Sequence, residues 1–355
     1  MSSPVSKVKN YPEFLNGHWP LHCASRDEDA PTVISTFAGC GGSSLGYSMA
    51  GFDERLAVEW DDHAAKILKL NFPTVPIFHG DIAKLSVAMV LELTGLSVGE
   101  LSVLDGSPPC QGFSTSGKRS MSDQRNFLFR EYCRLLKGLQ PKMFVMENVS
   151  GMVKGKMKLL FAEILRELKA CGYEVKAVLM DARYFGVPQM RQRMIFIGSR
   201  RDLDIQPSHP KAAYHPVSLR EAVEGISSVG LPLQGELARM GELVRPGEDF
   251  RAAWRRAGNA GDRYFSTYKL RWDEPCHTIT KTMSPGRTGL VHPDSNNMLS
   301  IAAIQRCGAF PDDFQFADHD VDNWARIGNS VPPLFMCAIA RHVRDLSGQR
   351  RIPAQ

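Results

Sequence analysis

The sequence lacks the patterns that would place it in several common protein classes. None of its eight cysteines stands in a Cys-x-x-Cys pair, which argues against a zinc ribbon and a redox dithiol. No apolar run approaches the ~20 residues of a membrane span, and residues 1–10 lack the apolar centre of a signal peptide. There is no internal repeat and no His/Cys cluster with metal-ligand spacing. We therefore expect a metal-free, cytoplasmic protein without a membrane partner.

Strong charge is also missing. The 355 residues carry a formal net charge of +5, which is compatible with nucleic acid but too mild to indicate it. Apolar residues make up 43% of the chain. That content is enough for a well-buried core in one large domain or two modest ones.

A strand, a glycine turn and a helix open the ordered part of the chain. The apolar run 32–37 predicts a short buried strand, and Ala38-Gly39-Cys40-Gly41-Gly42 follows it directly. Such a turn lets the backbone approach a ligand at the N-terminus of the next helix, as in nucleotide-binding α/β units. Ser44 stands where the dinucleotide fingerprint has a third glycine, which argues against NAD.

Acidic and aromatic residues follow the next two predicted strands. Glu59 ends a strand 17 residues after Gly42, near the spacing at which such folds bind ribose hydroxyls. Trp60 can cover an adenine ring, and Asp81 can accept a hydrogen bond from an adenine amino group. Each residue alone fits a solvated strand end, but three consecutive strand ends with suitable groups favour a nucleoside site.

The central feature is a cysteine on a proline turn. Asp105-Gly106-Ser107-Pro108-Pro109-Cys110-Gln111-Gly112-Phe113-Ser114 follows the apolar end of a predicted strand. The two prolines exclude both a helix and sheet pairing, so the cysteine is presented rather than packed. A polar, basic loop extends to residue 125. We interpret Cys110 as a nucleophile rather than a structural cysteine.

An acid and two arginines complete the candidate catalytic set. Glu147 ends the apolar run 143–146, and the carboxyl ends of parallel strands share one ligand-binding edge. Cys110 and Glu147 are therefore expected to face one pocket. Arg191 and Arg193 precede another apolar strand. We expect one of them to reach the pocket and the other to hold a neighbouring carboxylate or carbonyl.

The composition changes near residue 201, where prolines interrupt the alternation of strands and helices. Residues 239–271 contain eight basic and four acidic residues, a local net charge of +4, with aromatic residues between them. This pattern suits a DNA groove, although a solvated face fits the composition equally well. The candidate DNA-binding residues here are Arg255, Arg256, Arg263 and Tyr268.

Taken in order, these motifs resemble those of the DNA cytosine-5 methyltransferases. Phe37-Ala38-Gly39-Cys40-Gly41-Gly42 is similar to the family's cofactor loop, and Pro108 to Ser114 to its nucleophile motif. The resemblance runs from about residue 32 to 346. The later motifs that it includes are Gln189 to Arg193, Pro275 to Thr280 and Arg326 to Pro333.

The resemblance implies an α/β fold, a Rossmann-like S-adenosylmethionine-dependent methyltransferase sheet with a smaller, irregular target-recognition domain. We expect an N-terminal extension at 1–30, a catalytic and cofactor-binding domain at 31–200, a target-recognition domain at 201–285 and a segment returning to the catalytic domain at 286–355. The implied reaction moves a methyl group from S-adenosylmethionine to carbon 5 of cytosine in a short duplex DNA sequence and leaves S-adenosylhomocysteine.

The same resemblance assigns the site residues. A flipped cytosine is attacked by Cys110, with Glu147, Arg191 and Arg193 as the other catalytic groups. Ser114, Lys118 and Arg119 are implied in DNA binding. The implied cofactor-binding residues are Phe37, Gly39, Gly41, Gly42, Glu59, Trp60, Asp81, Ile82, Pro109, Asn329, Ser330 and Val331.

The implied partners are double-stranded DNA and, where one is encoded nearby, a cognate restriction endonuclease. We expect a monomer of prokaryotic or phage type, bound to DNA in the cytoplasm.

Three alternatives remain open from the sequence. An RNA cytosine methyltransferase would share the fold, but the Cys-Phe-Thr signature of the transfer-RNA branch is absent from the recognition region. A catalytically idle DNA-binding regulator would form no covalent adduct with 5-fluorocytosine DNA. A Rossmann oxidoreductase would bind NAD tightly, which Ser44 and the Pro-Pro-Cys motif oppose.

Overall fold

Strands and helices alternate from β1 at residue 32 to β6 at residue 181, as the sequence predicts. The computed structural model describes residues 5–109, 127–153, 157–261, 263–264, 266–317 and 319–348. The strands are β1 Thr32–Thr36, β2 Asp53–Glu59, β3 Ile77–His79, β4 Val103–Gly106, β5 Met143–Val149, β6 Tyr173–Asp181, β7 Gln189–Met190, β8 Gln192–Arg200, β9 Val229–Pro232, β10 Tyr268–Lys269, β11 Cys276–His277, β12 Leu290–Val291 and β13 Asn297–Leu299.

The helices are mostly short, and the longest have 13 or 14 residues. Within the described ranges, no helix has both the length and the apolar character that crossing a membrane requires. The helices are α1 Tyr11–Asn16, α2 Trp19–Cys23, α3 Gly42–Met49, α4 Asp62–Asn71, α5 Val87–Thr94, α6 Phe127–Leu139, α7 Met157–Ala170, α8 Leu219–Ala222, α9 Gly235–Gly241, α10 Phe250–Arg256, α11 Ile301–Cys307, α12 Asp320–Asn329 and α13 Pro333–Leu346.

The chain divides into two units, each built from three separate segments. The large-sheet unit contains Leu21–Met180, Gln192–Lys211 and Met336–Gln355. The small-sheet unit contains Met1–Pro20, Asp181–Arg191 and Ala212–Phe335. The predicted division at residues 30, 200 and 285 remains a sequence-based prediction.

A seven-stranded sheet organises the large-sheet unit. Its strand order is β3-β2-β1-β4-β5-β8-β6. The neighbours from β3 to β5 pair in parallel, and β8 runs antiparallel to β5. All four residues of β4 and the first six of β5 are buried, as expected for strands covered on both faces. This sheet therefore brings the carboxyl ends of β1, β2, β4 and β5 to one edge.

The helices of this unit begin at the residues that side-chain capping favours. Asp61 caps α4 by accepting a hydrogen bond from the Ala64 amide, and Ser86 caps α5 through the Met89 amide. Helix α5 ends at Gly95, which adopts a left-handed φ of 68°. Helix α3 differs, because its N-cap is Gly41 and no side chain caps it.

The small-sheet unit combines short strands with the N-terminal helix. Its sheet has the order β10-β12-β13-β9, and β7 pairs in parallel with β11. The Tyr11 hydroxyl on α1 donates to the Arg306 carbonyl at 3.3 Å, and Asn16 Nδ2 donates to Asp312 Oδ2 at 2.9 Å. Part of the predicted N-terminal extension is thus packed within this unit.

Candidate active site and cofactor loop

The loop between β1 and α3 is held in an uncommon backbone conformation. Phe37, Gly39 and Gly41 have φ angles of 55°, 59° and 98°. Three left-handed residues within five positions wrap the backbone tightly before Gly42 starts α3. A Cβ atom at Gly39 would meet no atom within 4 Å. The loop therefore leaves open space beside its backbone at Gly39.

Glu59 fixes this loop from the end of the neighbouring strand. Its Oε2 accepts a hydrogen bond from the Gly39 amide at 2.7 Å, and its Oε1 accepts from the amides of Trp60 and Asp61 at 2.9 Å each. The carboxylate is 9% exposed. Glu59 thus joins the end of β2 to the glycine turn after β1.

Gly41 has a steric role as well as a conformational one. A Cβ atom there would lie 2.6 Å from Phe72 Cε2. We expect Gly41→Ala to lower the melting temperature and weaken cofactor binding, since it adds this clash to a left-handed strain of about 1–2 kcal/mol. Gly172→Ala is the matched control, because Gly172 has a φ of 99° and nothing within 4 Å of its Cβ position. Equal losses in the two variants would contradict a role for the Phe72 contact.

The residues that follow β2 and β3 include an exposed tryptophan and an exposed aspartate. The Trp60 ring is 76% exposed, which is unusual for a tryptophan next to a strand end. Asp81 is exposed, and its carboxylate accepts a hydrogen bond from the Ala83 amide at 3.0 Å. Ile82, beside it, is 4% exposed. Asp81 and Trp60 are accessible, whereas Ile82 packs into the core.

The first turn of α3 rests on a buried acid of β2. The Ser44 hydroxyl donates to Glu54 Oε1 at 2.8 Å, and Glu54 is 8% exposed. Burial is the main cause that raises the pKa of Glu54 from 4.5 to about 7, and Asp53 adds to it. The hydrogen bond from Ser44 acts in the opposite direction.

We expect this acid to make folding stability depend on pH. Between about pH 4.5 and 7 the unfolded chain releases the Glu54 proton while the folded chain keeps it. Wild-type stability therefore falls as pH rises through this window and is level above it. In Glu54→Gln this slope disappears. The free energy of unfolding of the variant, relative to wild type, therefore rises by about 2–3 kcal/mol from pH 4.5 to 8. Urea unfolding at several pH values measures the difference, and a constant difference would contradict it.

A hydrogen bond from β5 holds the segment that follows β4 and leads to the candidate nucleophile. After β4, Pro108 is buried and Pro109 is half-buried. Asn148 Nδ2, near the end of β5, donates to the Pro108 carbonyl at 3.2 Å. Asn148 was not among the predicted site residues, although its position directly after Glu147 was a signal. Four predicted site residues beyond Pro109 lie outside the described residues: Cys110, Ser114, Lys118 and Arg119.

Glu147 and Arg193 form a largely buried ion pair. Arg193 Nε lies 2.7 Å from Glu147 Oε1, and the two side chains are 14% and 11% exposed. The antiparallel register sets this geometry, because Val149 of β5 faces Arg193 of β8. Strand β4 pairs with β5 in parallel up to Gly106 and Met146. Glu147 therefore lies on β5 one residue beyond the position that pairs with Gly106, the last residue of β4.

The comparisons with known proteins agree with this arrangement. Residues 31–345 match the family model of the C-5 cytosine-specific DNA methylases. The chain belongs to this family. It is 33% identical over 354 residues to the type II methyltransferase M1.HphI of Haemophilus parahaemolyticus, with 94% of this chain and 91% of that protein covered. It is 30% identical over 339 residues to M.NgoPII of Neisseria gonorrhoeae, with 88% and 95% covered.

Solved structures support the same assignment of the C-5 cytosine methylase fold. A putative DNA modification methyltransferase encoded within an E. coli prophage has a TM-score of 0.70 and 25% identity, covering 90% of this chain and 100% of that one. A Spodoptera frugiperda DNMT2 mutant has a TM-score of 0.65 at 16% identity, which supports the fold alone. The predicted family, fold class and DNA cytosine-5 methyltransferase activity are thus confirmed.

Arg191 of this methylase lies inside the small-sheet unit. It is 2% exposed, its Nη1 donates to the carbonyls of Ile279 and Gly328, and its Nη2 donates to the Ser330 carbonyl at 2.7 Å. Two residues that are two positions apart on one strand point to the same face. Arg191 precedes β8, so this rule does not place it on the same face as Arg193. The Arg191 guanidinium thus holds backbone carbonyls of this unit. Its predicted place among the catalytic groups stays a prediction.

The segment Asn329–Val331 connects α12 to α13. Asn329 is exposed, whereas Ser330 and Val331 are 7% and 5% exposed. The Ser330 hydroxyl donates to the Arg326 carbonyl at 2.8 Å. The predicted role of these three residues in cofactor binding remains a prediction.

Acidic partners neutralise several of the basic residues predicted to bind DNA. Arg256 forms an ion pair with Glu248, and Arg263 forms one with Glu236. Arg255 is exposed on α10. Arg256 and Arg263 would therefore have to break an ion pair to contact a phosphate.

The aromatic residues of the same interval pack mainly against one another. Trp254 is 8% exposed and contacts Tyr264 edge to face, with ring centroids 5.6 Å apart. Phe250 is fully buried beside them. Tyr268 stacks on His277 with centroids 3.9 Å apart and rings inclined by 7°. The sequence pattern could not separate such core contacts from a DNA-facing surface.

Proposed function

We propose that this methylase acts through covalent attack by Cys110 on a cytosine that has been flipped out of duplex DNA. The observation that carries the proposal is the ion pair between Glu147 and Arg193, one step beyond the β4 strand end that leads to Cys110. A carboxyl that is held by an arginine beside a predicted nucleophile can stabilise the charge that the cytosine ring gains during attack. Two groups with different tasks would then act on one base.

Each catalytic residue has a separate task in this proposal. The Cys110 thiolate forms a bond to carbon 6, which pushes electrons toward carbon 5 and makes it nucleophilic. Glu147 shares a proton with nitrogen 3 and stabilises the charge that develops there. Arg193 orients Glu147. Once carbon 5 carries the methyl group from the donor, it loses its proton to water, and the Cys110–carbon 6 bond breaks and releases the thiolate.

The residues around the glycine loop fit S-adenosylmethionine, which supplies an electrophilic methyl group on a sulfonium. The open space beside Gly39 and the uncapped start of α3 suit a carboxylate that lies close to the backbone. The exposed Trp60 ring offers a surface for an adenine. Glu59 and Asp81 would supply further polar contacts, and the role of Asn329–Val331 in cofactor binding stays a prediction from the sequence.

The DNA-binding residues follow from sequence and charge. We propose that the loop with Lys118 and Arg119 closes on the flipped base, while Arg255, Arg256 and Arg263 contact the duplex. A cytosine inside a duplex hides its carbon 6, so flipping is required. The type II methyltransferase names of the relatives support a role in DNA modification. We propose a restriction endonuclease encoded nearby as the genetic partner and a monomer as the active form.

Purified protein tests the substrate directly. Wild-type protein with labelled S-adenosylmethionine is offered duplex DNA and transfer RNA in separate reactions. We expect label on carbon 5 of cytosine in the duplex and none on the RNA. Label on RNA alone would replace the proposal with an RNA methyltransferase. DNA binding without any transfer or adduct on 5-fluorocytosine DNA would indicate an idle regulator.

A further inference from the structure

Asp105 is a buried acid that the proposed reaction does not use. It is the third residue of β4, is 2% exposed, and pairs in register with Ser35 of β1 and Val145 of β5. An acid in the middle of a fully buried strand is disfavoured unless it is hydrogen-bonded or neutral. Cys110 follows it by five positions in the sequence. Asp105 therefore lies on the strand that leads directly to the proposed nucleophile.

The Asp105 side chain bonds to the helix that follows the glycine loop. The Tyr47 hydroxyl donates to Asp105 Oδ1 at 3.3 Å, and the Ser43 side chain shares a second hydrogen bond with the same carboxyl. Ser43 and Tyr47 both belong to α3, and both are buried. The carboxyl thus links the end of β4 to the first turns of α3, which carries the proposed cofactor loop at its N-terminus.

The groups that face Asp105 are acidic or neutral. Glu54 approaches from β2, Glu147 from β5, and Tyr132 from α6. Burial is the main cause that raises the pKa of Asp105 well above its usual value, and Glu54 and Glu147 raise it further, whereas the bonds from Ser43 and Tyr47 lower it. A neutral carboxyl can donate one hydrogen bond and accept others, so it suits a position between hydroxyl groups.

We propose that Asp105 is a positioning residue that holds the start of α3 against β4, the strand that precedes Cys110 in the sequence. The loop that binds the methyl donor and the turn that presents the nucleophile then keep a constant spacing. Small displacements between reacting groups lower rates steeply, so such a link affects both donor binding and turnover. The inference rests on the proposed function for the identity of the ligand, but the link itself is built from contacts within the large-sheet unit.

A matched pair of tyrosine variants tests the link. Tyr47→Phe removes the hydroxyl that bonds to Asp105. Tyr132→Phe removes an equally buried hydroxyl that donates to the carbonyls of Leu104 and Val145 and makes no bond to α3. We expect Tyr47→Phe to weaken S-adenosylhomocysteine binding about 3- to 10-fold in calorimetry, with Tyr132→Phe within twofold of wild type. Equal affinities in the two variants would overturn the proposal.

Substitutions of Asp105 itself separate positioning from simple packing. Asp105→Asn keeps a neutral hydrogen-bonding side chain of the same size. We expect its kcat and its KM for S-adenosylmethionine to stay within about threefold of wild type, while Asp105→Ala loses at least about tenfold in kcat/KM. Rescue by asparagine but not by alanine supports the link. Asparagine failing as badly as alanine, or alanine behaving as wild type, would overturn it.

The binding measurement also separates this inference from the proposed function. If wild-type protein fails to bind S-adenosylhomocysteine, then the assigned donor is wrong. If wild type binds and Tyr47→Phe binds equally well, then the donor assignment stands and the positioning role is wrong. Should Asp105→Ala fail to fold, which its melting curve would reveal, the two tyrosine variants decide the question alone.

Discussion

Cys110→Ala abolishes methyl transfer and leaves DNA binding close to wild type. Without the thiolate there is no attack on carbon 6, and carbon 5 of cytosine is a poor nucleophile on its own. Label transfer to duplex DNA measures the first effect, and a gel-shift titration measures the second. Cys23→Ala is the control, because Cys23 is an exposed thiol and should be dispensable.

The same pair of variants gives a second, independent readout. On duplex DNA with 5-fluorocytosine at the target, wild type and Cys23→Ala should form a covalent adduct that survives denaturing electrophoresis. The Cys110→Ala protein should form none. If Cys110→Ala still transfers methyl groups, covalent catalysis through this residue is wrong.

Glu147→Gln lowers kcat by about 10²–10⁴, the range in which a positioned proton-sharing group contributes to catalysis. The amide keeps the shape of the side chain but loses both the proton shared with nitrogen 3 and the ion pair with Arg193. Cofactor affinity should change by less than about threefold, because Glu147 lies outside the glycine loop. Single-turnover rates and calorimetry measure the two quantities separately.

Glu131→Gln is the matched control for this variant. Glu131 is 9% exposed and forms an ion pair with Arg134 Nε at 2.7 Å, the same distance as in the proposed catalytic pair. Both substitutions remove a partly buried carboxylate from an arginine. Only Glu147→Gln should slow transfer. Near-normal turnover in Glu147→Gln, or equal slowing in both variants, would remove Glu147 from its role.

Much of the large sheet could be predicted because its strands are short apolar runs with clear ends. The run before Cys110 became β4, and the run before Glu147 became β5, with a parallel register. Parallel strands end at one edge, which is why Gly106 and Met146, 40 positions apart in the chain, lie side by side there. The helix predicted after the glycine turn is α3, which begins at Gly42, the last residue of that turn.

Contacts between distant segments could not be predicted, since no local pattern encodes them. Arg191 donates to carbonyls 88, 137 and 139 positions further along the chain. The pairing of Arg263 with Glu236 is likewise a property of the folded unit. Composition counted such an arginine as available for DNA, because a sequence window does not show which carboxylates come to lie beside it.

Asp105 shows a different limit of sequence reasoning. An acid in an apolar run was visible beside the Pro-Pro-Cys turn, but its partners Ser43 and Tyr47 lie 62 and 58 positions earlier. Only the order β1-β4-β5 of the sheet brings α3 against that strand.

Base-resolution sequencing of 5-methylcytosine in plasmid DNA tests the central claim most directly. The plasmid is taken from cells that express the wild-type chain or Cys110→Ala. The account predicts methylation of one cytosine within a short, repeated sequence in the wild-type sample and none in the control. Methylation that persists in Cys110→Ala would contradict the mechanism. The absence of 5-methylcytosine from the wild-type sample, with the protein expressed and folded, would contradict the assignment of duplex DNA as the substrate.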